Sequence, residues 1–184
     1  MDRNLLHKMI RLFLEEDIGR GDLTSESVFL GNETGSARLV ARDSFVVDGA
    51  EAVAAEVFKL KKAEITATGG VVDGARVNAG TVLLSVSGPV IDLLKAERVA
   101  LNLLQRLSGI ATLTARFVDK VKAYPVRITD TRKTTPGLRV LEKYAVRAGG
   151  GTNHRFNLTD GVMIKDNHIA ACGSITEAVR RIKN

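Results

Sequence analysis

The sequence contains no tryptophan, a single cysteine and only 4% aromatic residues. It also contains no apolar run near the ~20 residues that a membrane-spanning helix requires, so we predict no membrane segment. The single Cys172 cannot form a disulfide within the chain, which favours a reducing compartment. The N-terminal pattern is an amphipathic helix without the apolar stretch or the cleavage site of a signal peptide. Together these absences predict a cytoplasmic protein.

Positive charge is concentrated in the second half of the chain. Residues 1–90 hold 10 Lys and Arg against 13 Asp and Glu, whereas residues 91–184 hold 17 against 8, which gives the net charge of +6. Such a field attracts nucleic acid, a membrane surface or a small anion. Proteins that bind nucleic acid often interleave basic with aromatic residues, and no such run occurs here. The cations stand singly among apolar residues and glycine-rich turns, which favours a pocket for a small anion over nucleic-acid binding.

The predicted order of helices and strands differs between the two parts of the chain. Residues 1–110 combine helices with short strands punctuated by glycine, a pattern typical of a compact sandwich domain. A helical pattern over 90–123 bridges this domain and the next. Residues 111–184 alternate strand, loop and helix, which implies a parallel sheet or an α/β barrel. We therefore predict an α/β protein, with an α+β sandwich N-terminal domain followed by the first part of an α/β barrel.

Hydrophobic periodicity and turn residues predict the individual elements. These are a helix over 2–17, a turn at 22–25, strands over 36–42, 45–48, 81–86, 126–129 and 161–165, and helices over 50–60, 138–148 and 174–184. Only two βα units fall within the second domain, whereas a closed barrel of the common type has eight. We therefore expect the chain to hold a barrel that is cut short.

Basic residues follow both predicted strands of the second domain. Arg132 and Lys133 come after the first strand, Lys165 ends the second, and His154 and Arg155 stand in the loop between. Ligands of parallel α/β folds bind at the carboxyl ends of the strands, so these side chains are expected to converge on one face. Arginine and lysine there favour a site for carboxylate or phosphate groups. The alternative from the pattern alone is a solvated, charged loop.

A stripe of polar residues follows one face of the bridging helix. Its members are Arg98, Asn102, Gln105, Thr112 and Arg116. Because almost every other position is apolar, the stripe either meets partners in a buried setting or faces solvent, and periodicity leaves both interpretations open. The pair Ser108 and Gly109 predicts a break or kink in the helix.

Several familiar chemistries are disfavoured by the motifs that the chain lacks. No P-loop or GxGxxG motif is present, and His7, His154 and His168 do not have the spacing of a zinc site. No serine–histidine–aspartate or cysteine–histidine arrangement can be argued. Several cations without an obvious nucleophile fit the electrostatic positioning of phosphates and carboxylates.

Four stretches resemble the quinolinate phosphoribosyltransferase family, and the match runs over nearly the whole chain. They are 17-DIGRGDLTS-25, 97-ERVALNLLQRLSGIAT-112, 129-TDTRKTTPGLR-139 and 142-EKYAVRAGGGTNHRFNLTDGVMIKDNHI-169. The resemblance implies an N-terminal sandwich, an incomplete α/β barrel, and a homodimer or dimer-based hexamer. It also implies that quinolinate reacts with phosphoribosyl pyrophosphate (PRPP) in the presence of Mg²⁺. The products implied are nicotinate mononucleotide, carbon dioxide and pyrophosphate, on the de novo route to NAD.

The resemblance assigns residues to the aromatic acid. Arg132, His154 and Arg155 would contact the carboxylates of quinolinate, and Thr131 would line the same site. Arg98 would reach the active site of the neighbouring subunit. That role would place the polar stripe of the bridging helix at a dimer interface.

The resemblance assigns a second group of residues to PRPP and to support. Lys133 and Lys165 would meet the phosphate and pyrophosphate groups and are the catalytic candidates. Asp130 and Asp166 would orient the cations beside them. The weaker candidates, in the wall of the site or behind it, are Arg139 and Asn167.

The chain ends before the family's later strands, which carry a Glu and an Asp that engage ribose and metal, and phosphate-binding loops. We therefore expect the aromatic-acid half of a site, no metal ligand within this chain, and little activity of the chain alone. One alternative is a related phosphoribosyltransferase whose acceptor is nicotinate or that of the molybdenum-associated relatives. Another is a non-catalytic anion-binding fragment. The set of Arg98, Arg132 and Arg155 favours a diacid over nicotinate, which has one carboxylate.

Overall fold

The structure is a computed structural model that describes residues 2–61 and 66–183. It forms two compact units, the first ending at His154 and the second beginning at Arg155. The helices of the first unit are α1 (Arg3–Ile18), α2 (Leu23–Val28), α3 (Ala55–Lys61, preceded by a π-helical segment, Ala50–Ala54), α4 (Val90–Val121) and α5 (Arg139–Ala148). Its strands are β1 (Thr34–Val40), β2 (Phe45–Val46), β3 (Thr66–Thr68), β4 (Arg76–Val77) and β5 (Val82–Pro89). The second unit contains α6 (Asp166–Cys172) and α7 (Ile175–Lys183).

The described strands of the first unit pair in antiparallel fashion around one core. Strand β5 lies between β1 and β3, and β2 pairs with β4 in a second sheet. The largest fully buried apolar side chains come from every layer and include Ile10, Phe58, Leu84, Leu107 and Leu141. Each such side chain contributes about 1.5–3 kcal/mol through burial. The core therefore joins the sandwich to α4 and α5 in a single body.

The predicted helices are confirmed to within about a turn, but one predicted turn is wrong. The sequence predicts a turn at 22–25, whereas α2 begins there at Leu23. The Asp22 side chain accepts a hydrogen bond from the N–H of Ser25, with N and Oδ1 3.0 Å apart. Such a cap satisfies a backbone donor at the start of a helix, which stabilises the short helix that follows. Residue 184 of the last predicted helix lies outside the described residues.

The two strands predicted for the second domain are wrong in the described part of the chain. Segment 126–129 contributes a single parallel bridge, between Thr129 and Thr152, and segment 161–165 forms no strand. A strand of a parallel sheet normally has neighbours that pair with its N–H and C=O groups along both edges. The described residues give segment 126–129 one bridge. The fold class is nevertheless confirmed, since helices and β-sheets combine in a mixed α/β chain.

Helix α4 is a single uninterrupted helix with one buried face. It continues through Ser108 and Gly109, so the predicted break at this pair is wrong. Most of the polar stripe lies at the surface, since Arg98, Asn102, Gln105 and Arg116 are exposed. Thr112 is half-buried, and its Oγ1 accepts a hydrogen bond from the N–H of Val46 at 2.9 Å. Neither α4 nor another helix of the described residues is both long and apolar enough to cross a membrane.

A buried carboxyl group lies at the junction of β2 and the π-helical segment. Asp48 is 0% exposed, and neither of its carboxyl oxygens has a hydrogen-bond partner among the described residues. Asp73 lies nearby, where it accepts hydrogen bonds from the N–H of Gly49 (2.8 Å) and the hydroxyl of Tyr144 (2.9 Å). Burial, and secondly the charge of Asp73, raise the pKa of Asp48 to about 7. Sequence reasoning missed this group.

The glycine triplet after α5 allows helix α4 to come very close. A Cβ atom at Gly149 would lie 2.4 Å from the carbonyl oxygen of Ala111 and 2.7 Å from Cβ of Thr114. A Cβ atom at Gly151 would lie 2.7 Å from a methyl group of Val146. The triplet therefore serves helix packing within the first unit, as well as ending α5.

Candidate anion-binding site

The loop between Thr129 and α5 carries the first group of predicted cations. Thr131 Oγ1 accepts a hydrogen bond from the N–H of Lys133 (3.0 Å), and the carbonyl of Arg132 accepts one from the N–H of Thr134 (2.9 Å). These short-range bonds give the loop a defined turn. Lys133 is exposed and Arg132 is half-buried, so both lie at an accessible surface.

Arg132 has an unusual hydrogen-bonding state. Its Nε atom is buried and has no hydrogen-bond partner among the described residues. A buried donor of a charged group is costly when it is unpaired. The guanidinium group forms strong, bidentate hydrogen bonds with carboxylates and phosphates. The chemistry of Arg132 therefore suits an anionic ligand.

Arg139 supports the same loop from the first turn of α5. Its Nε donates to Thr134 Oγ1 at 3.0 Å, and a terminal nitrogen donates to the carbonyl of Arg132 at 3.4 Å. Both contacts are to the loop rather than to open solvent. This geometry is that of a supporting residue, and the predicted place of Arg139 in the wall of a ligand site stays a prediction.

An arginine of α4 and a glutamate of α5 hold the middle of the loop. Arg106 forms an ion pair with Glu142 Oε1 and donates to Thr135 Oγ1. Glu142 Oε2 accepts a hydrogen bond from the N–H of Thr135 at 3.1 Å. Burial acts to raise the pKa of Glu142, but the hydrogen bonds from Arg106 and Thr135 outweigh it and the net pKa is lowered. Glu142 is therefore held as a charged carboxylate.

A second ion pair joins the start of the loop to the segment that contains His154. Lys143 Nζ lies 2.5 Å from Asp130 Oδ1, and the two side chains are 3% and 6% exposed. The N–H of His154 donates to Asp130 Oδ1 at 2.8 Å. Lys143 Nζ also donates to the carbonyl of His154 at 3.1 Å. The structure thus brings Thr131, Arg132, Lys133 and His154 together within the first unit.

Arg155, Lys165 and Asn167 lie in the second unit. Arg155 donates to the carbonyl of Gly161 at 3.0 Å. The N–H of Lys165 donates to His168 Nδ1 at 3.1 Å, at the start of α6. Lys165 and Asn167 are exposed, and Arg155 is half-buried. The predicted ligand contacts of these three residues stay predictions.

Acidic residues beside the cations are already engaged. Asp130 is paired with Lys143, and Asp166 Oδ1 accepts from the N–H of Asn167 at 2.9 Å. Among residues 2–61 and 66–183, no group of three or more His, Cys, Asp or Glu could hold a metal ion.

The chain matches two domain models of one family. The N-terminal domain of quinolinate phosphoribosyl transferase matches residues 22–108, and the C-terminal domain of the same enzyme matches residues 110–184. The chain is 51% identical over 183 residues to a probable carboxylating nicotinate-nucleotide pyrophosphorylase of Bacillus subtilis, covering 100% of the chain and 63% of that protein. It is 48% identical over 181 residues to the corresponding probable enzyme of Synechocystis, covering 97% of the chain and 60% of that protein.

Solved structures agree with these matches. NadC from Streptococcus pyogenes has a TM-score of 0.93 at 41% identity, and a nicotinate-nucleotide pyrophosphorylase from Ehrlichia chaffeensis has 0.92 at 43%. Each alignment covers 100% of this chain and 65% of the other. The matched domains and the fold thus place the chain among proteins that combine the two quinolinate phosphoribosyl transferase domains. The chain belongs to the quinolinate phosphoribosyl transferase family, as the motifs predicted, and it spans less than two thirds of the length of these relatives.

Proposed function

We propose that this chain supplies the quinolinate-binding part of a carboxylating nicotinate-nucleotide pyrophosphorylase. The observation that supports the proposal is the buried Nε of Arg132, which has no hydrogen-bond partner among the described residues. Arg132 shares its loop with Lys133, and Asp130 at the start of that loop accepts from the N–H of His154. A carboxylate would satisfy this donor and balance the local positive charge. Membership of the family supports quinolinate as the acid and PRPP as the second substrate.

The proposed roles divide the cations between the two substrates. Arg132, His154 and Arg155 bind the two carboxylates of quinolinate, and Thr131 lines that site. Lys133 and Lys165 bind phosphate and pyrophosphate groups, which suits the compact charge of an ammonium group. Arg139 and Asn167 support this set.

In the proposed reaction, the pyridine nitrogen attacks the anomeric carbon of PRPP. The bond from that carbon to pyrophosphate breaks, and pyrophosphate leaves with the electron pair. Fixed positive charge from lysine favours this departure. The carboxylate beside the now cationic nitrogen then leaves as carbon dioxide, its electron pair stays on the ring carbon, and a proton is taken up there. The product is nicotinate mononucleotide.

Mg²⁺ belongs to the proposal as a companion of PRPP. The acids beside the cations are engaged in other contacts, and the described residues do not fit a metal centre. We therefore propose that the oxygens of PRPP carry the ion, and no step above relies on a metal ligand from this chain. The cytoplasmic location predicted from the sequence likewise stays a prediction.

Binding of quinolinate by this chain tests the proposal. We expect isothermal titration calorimetry to detect quinolinate and to give about tenfold weaker binding for nicotinate, since one charge-assisted contact is worth about 1.5–3 kcal/mol. Arg132→Ala should weaken quinolinate binding about 10- to 100-fold for the same reason. The matched control is Arg11→Ala, at an exposed arginine of α1. Equal affinities for the two acids would favour a different acceptor, and no quinolinate binding would contradict the proposal.

We also propose that the chain forms a homodimer, or a hexamer built from such dimers, through the exposed face of α4. This face combines the polar stripe, including Arg98, with Leu113, which is 56% exposed. A groove of about 480 Å³ beside it is lined by further apolar residues such as Leu101 and Leu104. Apolar patches rimmed by polar residues are typical of protein interfaces. In this arrangement Arg98 would serve the site of the partner subunit.

Analytical ultracentrifugation tests this assembly. We expect a dimer or a higher even-numbered species, and we expect Leu113→Glu to weaken association at least tenfold, because a charge would enter an apolar contact. Val72→Glu, at an exposed position outside the α4 face, serves as the control. A monomeric chain at micromolar concentration, or a dimer that Leu113→Glu leaves intact, would contradict the proposed interface.

A further inference from the structure

Helix α5 contains a lysine that is almost completely buried. Lys143 has a side-chain exposure of 3%, although it lies one residue from the half-buried Tyr144. Lysine is rarely buried to this degree unless it is paired. The ammonium group of Lys143 donates one hydrogen bond to Asp130 (2.5 Å) and another to the carbonyl of His154 (3.1 Å). The two acceptors belong to separate segments of the candidate site.

The carboxylate of Asp130 accepts hydrogen bonds from three different residues. Its Oδ1 accepts from Lys143 and from the N–H of His154, and its Oδ2 accepts from Nδ2 of Asn153 at 2.5 Å. Asn153 Nδ2 also donates to the backbone carbonyl of Lys143 at 2.8 Å. The N–H of Asp130 donates to the carbonyl of Thr152 at 3.2 Å. These bonds fasten α5, the start of the loop and the segment 152–154 to one another.

Stability alone does not explain a buried ion pair here. Taking two charges out of water costs several kcal/mol per ion, and apolar replacement of such pairs is often neutral or stabilising. Hydrogen bonds are directional, so they fix which atoms of the two segments meet, and an apolar pair would not do this. Lys143 also neutralises Asp130, so the aspartate does not offset the charge of the neighbouring Arg132 and Lys133.

We propose that Lys143 and Asp130 are positioning residues for the anionic substrate. The pair sets the relative placement of Arg132 and His154, the two groups of the first unit that we assign to the carboxylates of quinolinate. This inference rests on the proposed function for the identity of the ligand, but the placement itself is a property of the chain. Small errors in the placement of substrate-binding groups are costly, by up to about 100-fold per ångström.

Three variants separate positioning from stability. Lys143→Met and Asp130→Ala each leave one buried charge without its partner, whereas the double variant leaves none. We expect each single variant to lower Tm by about 6 °C and the double variant to regain most of that loss. We expect all three to bind quinolinate about tenfold more weakly, because each removes the bond between Lys143 and Asp130 that joins α5 to the start of the loop. Lys120→Met, at an exposed lysine of α4, is the control.

The binding result decides between two roles. If the double variant regains both Tm and quinolinate affinity, the pair is only a matter of stability and the proposal is overturned. If it regains Tm and not affinity, positioning is supported.

A second readout needs no ligand. Amide hydrogen exchange at the N–H groups of His154 and Lys133 reports the order of the two segments directly. We expect exchange at least tenfold faster at both positions in Lys143→Met, which keeps Asp130 as the acceptor of the His154 N–H, with no change at Leu104 in the core. Unchanged exchange at His154 and Lys133 would overturn the positioning role, whether or not the chain binds quinolinate. Absence of quinolinate binding would count against the proposed function alone.

Discussion

At pH 8 the Asp48→Asn variant should be more stable to unfolding than the unaltered chain by about 4 kcal/mol. The carboxyl group of Asp48 is buried and has no hydrogen-bond partner among the described residues. Burial raises its pKa from 3.8 to about 7, and the charge of Asp73 adds to the rise. Asparagine keeps the shape of the side chain but cannot take the charge that the site disfavours.

The advantage of Asp48→Asn should depend on pH in a defined direction. Below about pH 4, Asp48 is protonated in both the folded and the unfolded chain, so the two proteins should be about equally stable. As the pH rises from about 4 to 7, Asp48 ionises in the unfolded chain while it stays protonated in the folded one, and the unaltered chain loses stability. Above about pH 7 the difference should level off.

Denaturant unfolding at pH 4, 6 and 8 measures this effect. The control is Asp43→Asn, which removes an exposed acid five residues earlier and should leave the pH dependence as it is. If the free energy of unfolding changed with pH in the same way for Asp48→Asn and for the unaltered chain, the burial argument would be wrong.

Gly149→Ala should lower the free energy of unfolding by about 3–4 kcal/mol, at the upper end of what one added methyl group costs in a packed interior. The new Cβ atom would lie 2.4 Å from the backbone oxygen of Ala111 and 2.7 Å from Cβ of Thr114. A backbone atom in the middle of α4 cannot move aside as a flexible side chain would. Helices α4 and α5 would have to separate, and the contacts of both with the core would weaken.

Thermal and denaturant unfolding of Gly149→Ala test this contact. The matched control is Gly161→Ala, at a glycine whose added Cβ would meet nothing within 4 Å. We expect that change to alter the free energy of unfolding by less than about 0.5 kcal/mol, as is usual for exposed positions. A Gly149→Ala chain as stable as the control would show that the close approach of α4 and α5 is not rigid.

The sequence predicted the helices better than the parallel strands. A helix such as α4 forms hydrogen bonds within one segment, so its period of 3.6 residues is visible in the sequence. The segments 126–129 and 161–165 look apolar enough for strands, but a strand also needs a neighbour whose position local sequence does not encode. In the described residues the first segment gains one bridge, Thr129 to Thr152, and the second gains none.

The candidate site was predictable in its cations and not in the groups that hold them. Arg132 and Lys133 stand out because they follow the end of a predicted strand, and His154 because it lies in the loop between the two predicted strands. Arg106 and Lys143 do not, since each looks like an ordinary charge on an amphipathic helix until its partner is known. Asp48 was missed for a related reason: Asp-Gly is a common turn pair, and nothing in that pair indicates burial.

Helix α5 has a consequence for any attempt to change the ligand of this site. Its neighbouring residues Glu142 and Lys143 hold two different points of the loop, the first its middle at Thr135 and the second its start at Asp130. A loop taken from another protein to replace residues 130–139 alone would lose the helix contacts that hold it in its own protein. The unit that would have to be transferred is the loop together with α5, the segment 152–154 and Arg106 of α4. Redesign of the acceptor specificity would therefore have to change these parts together.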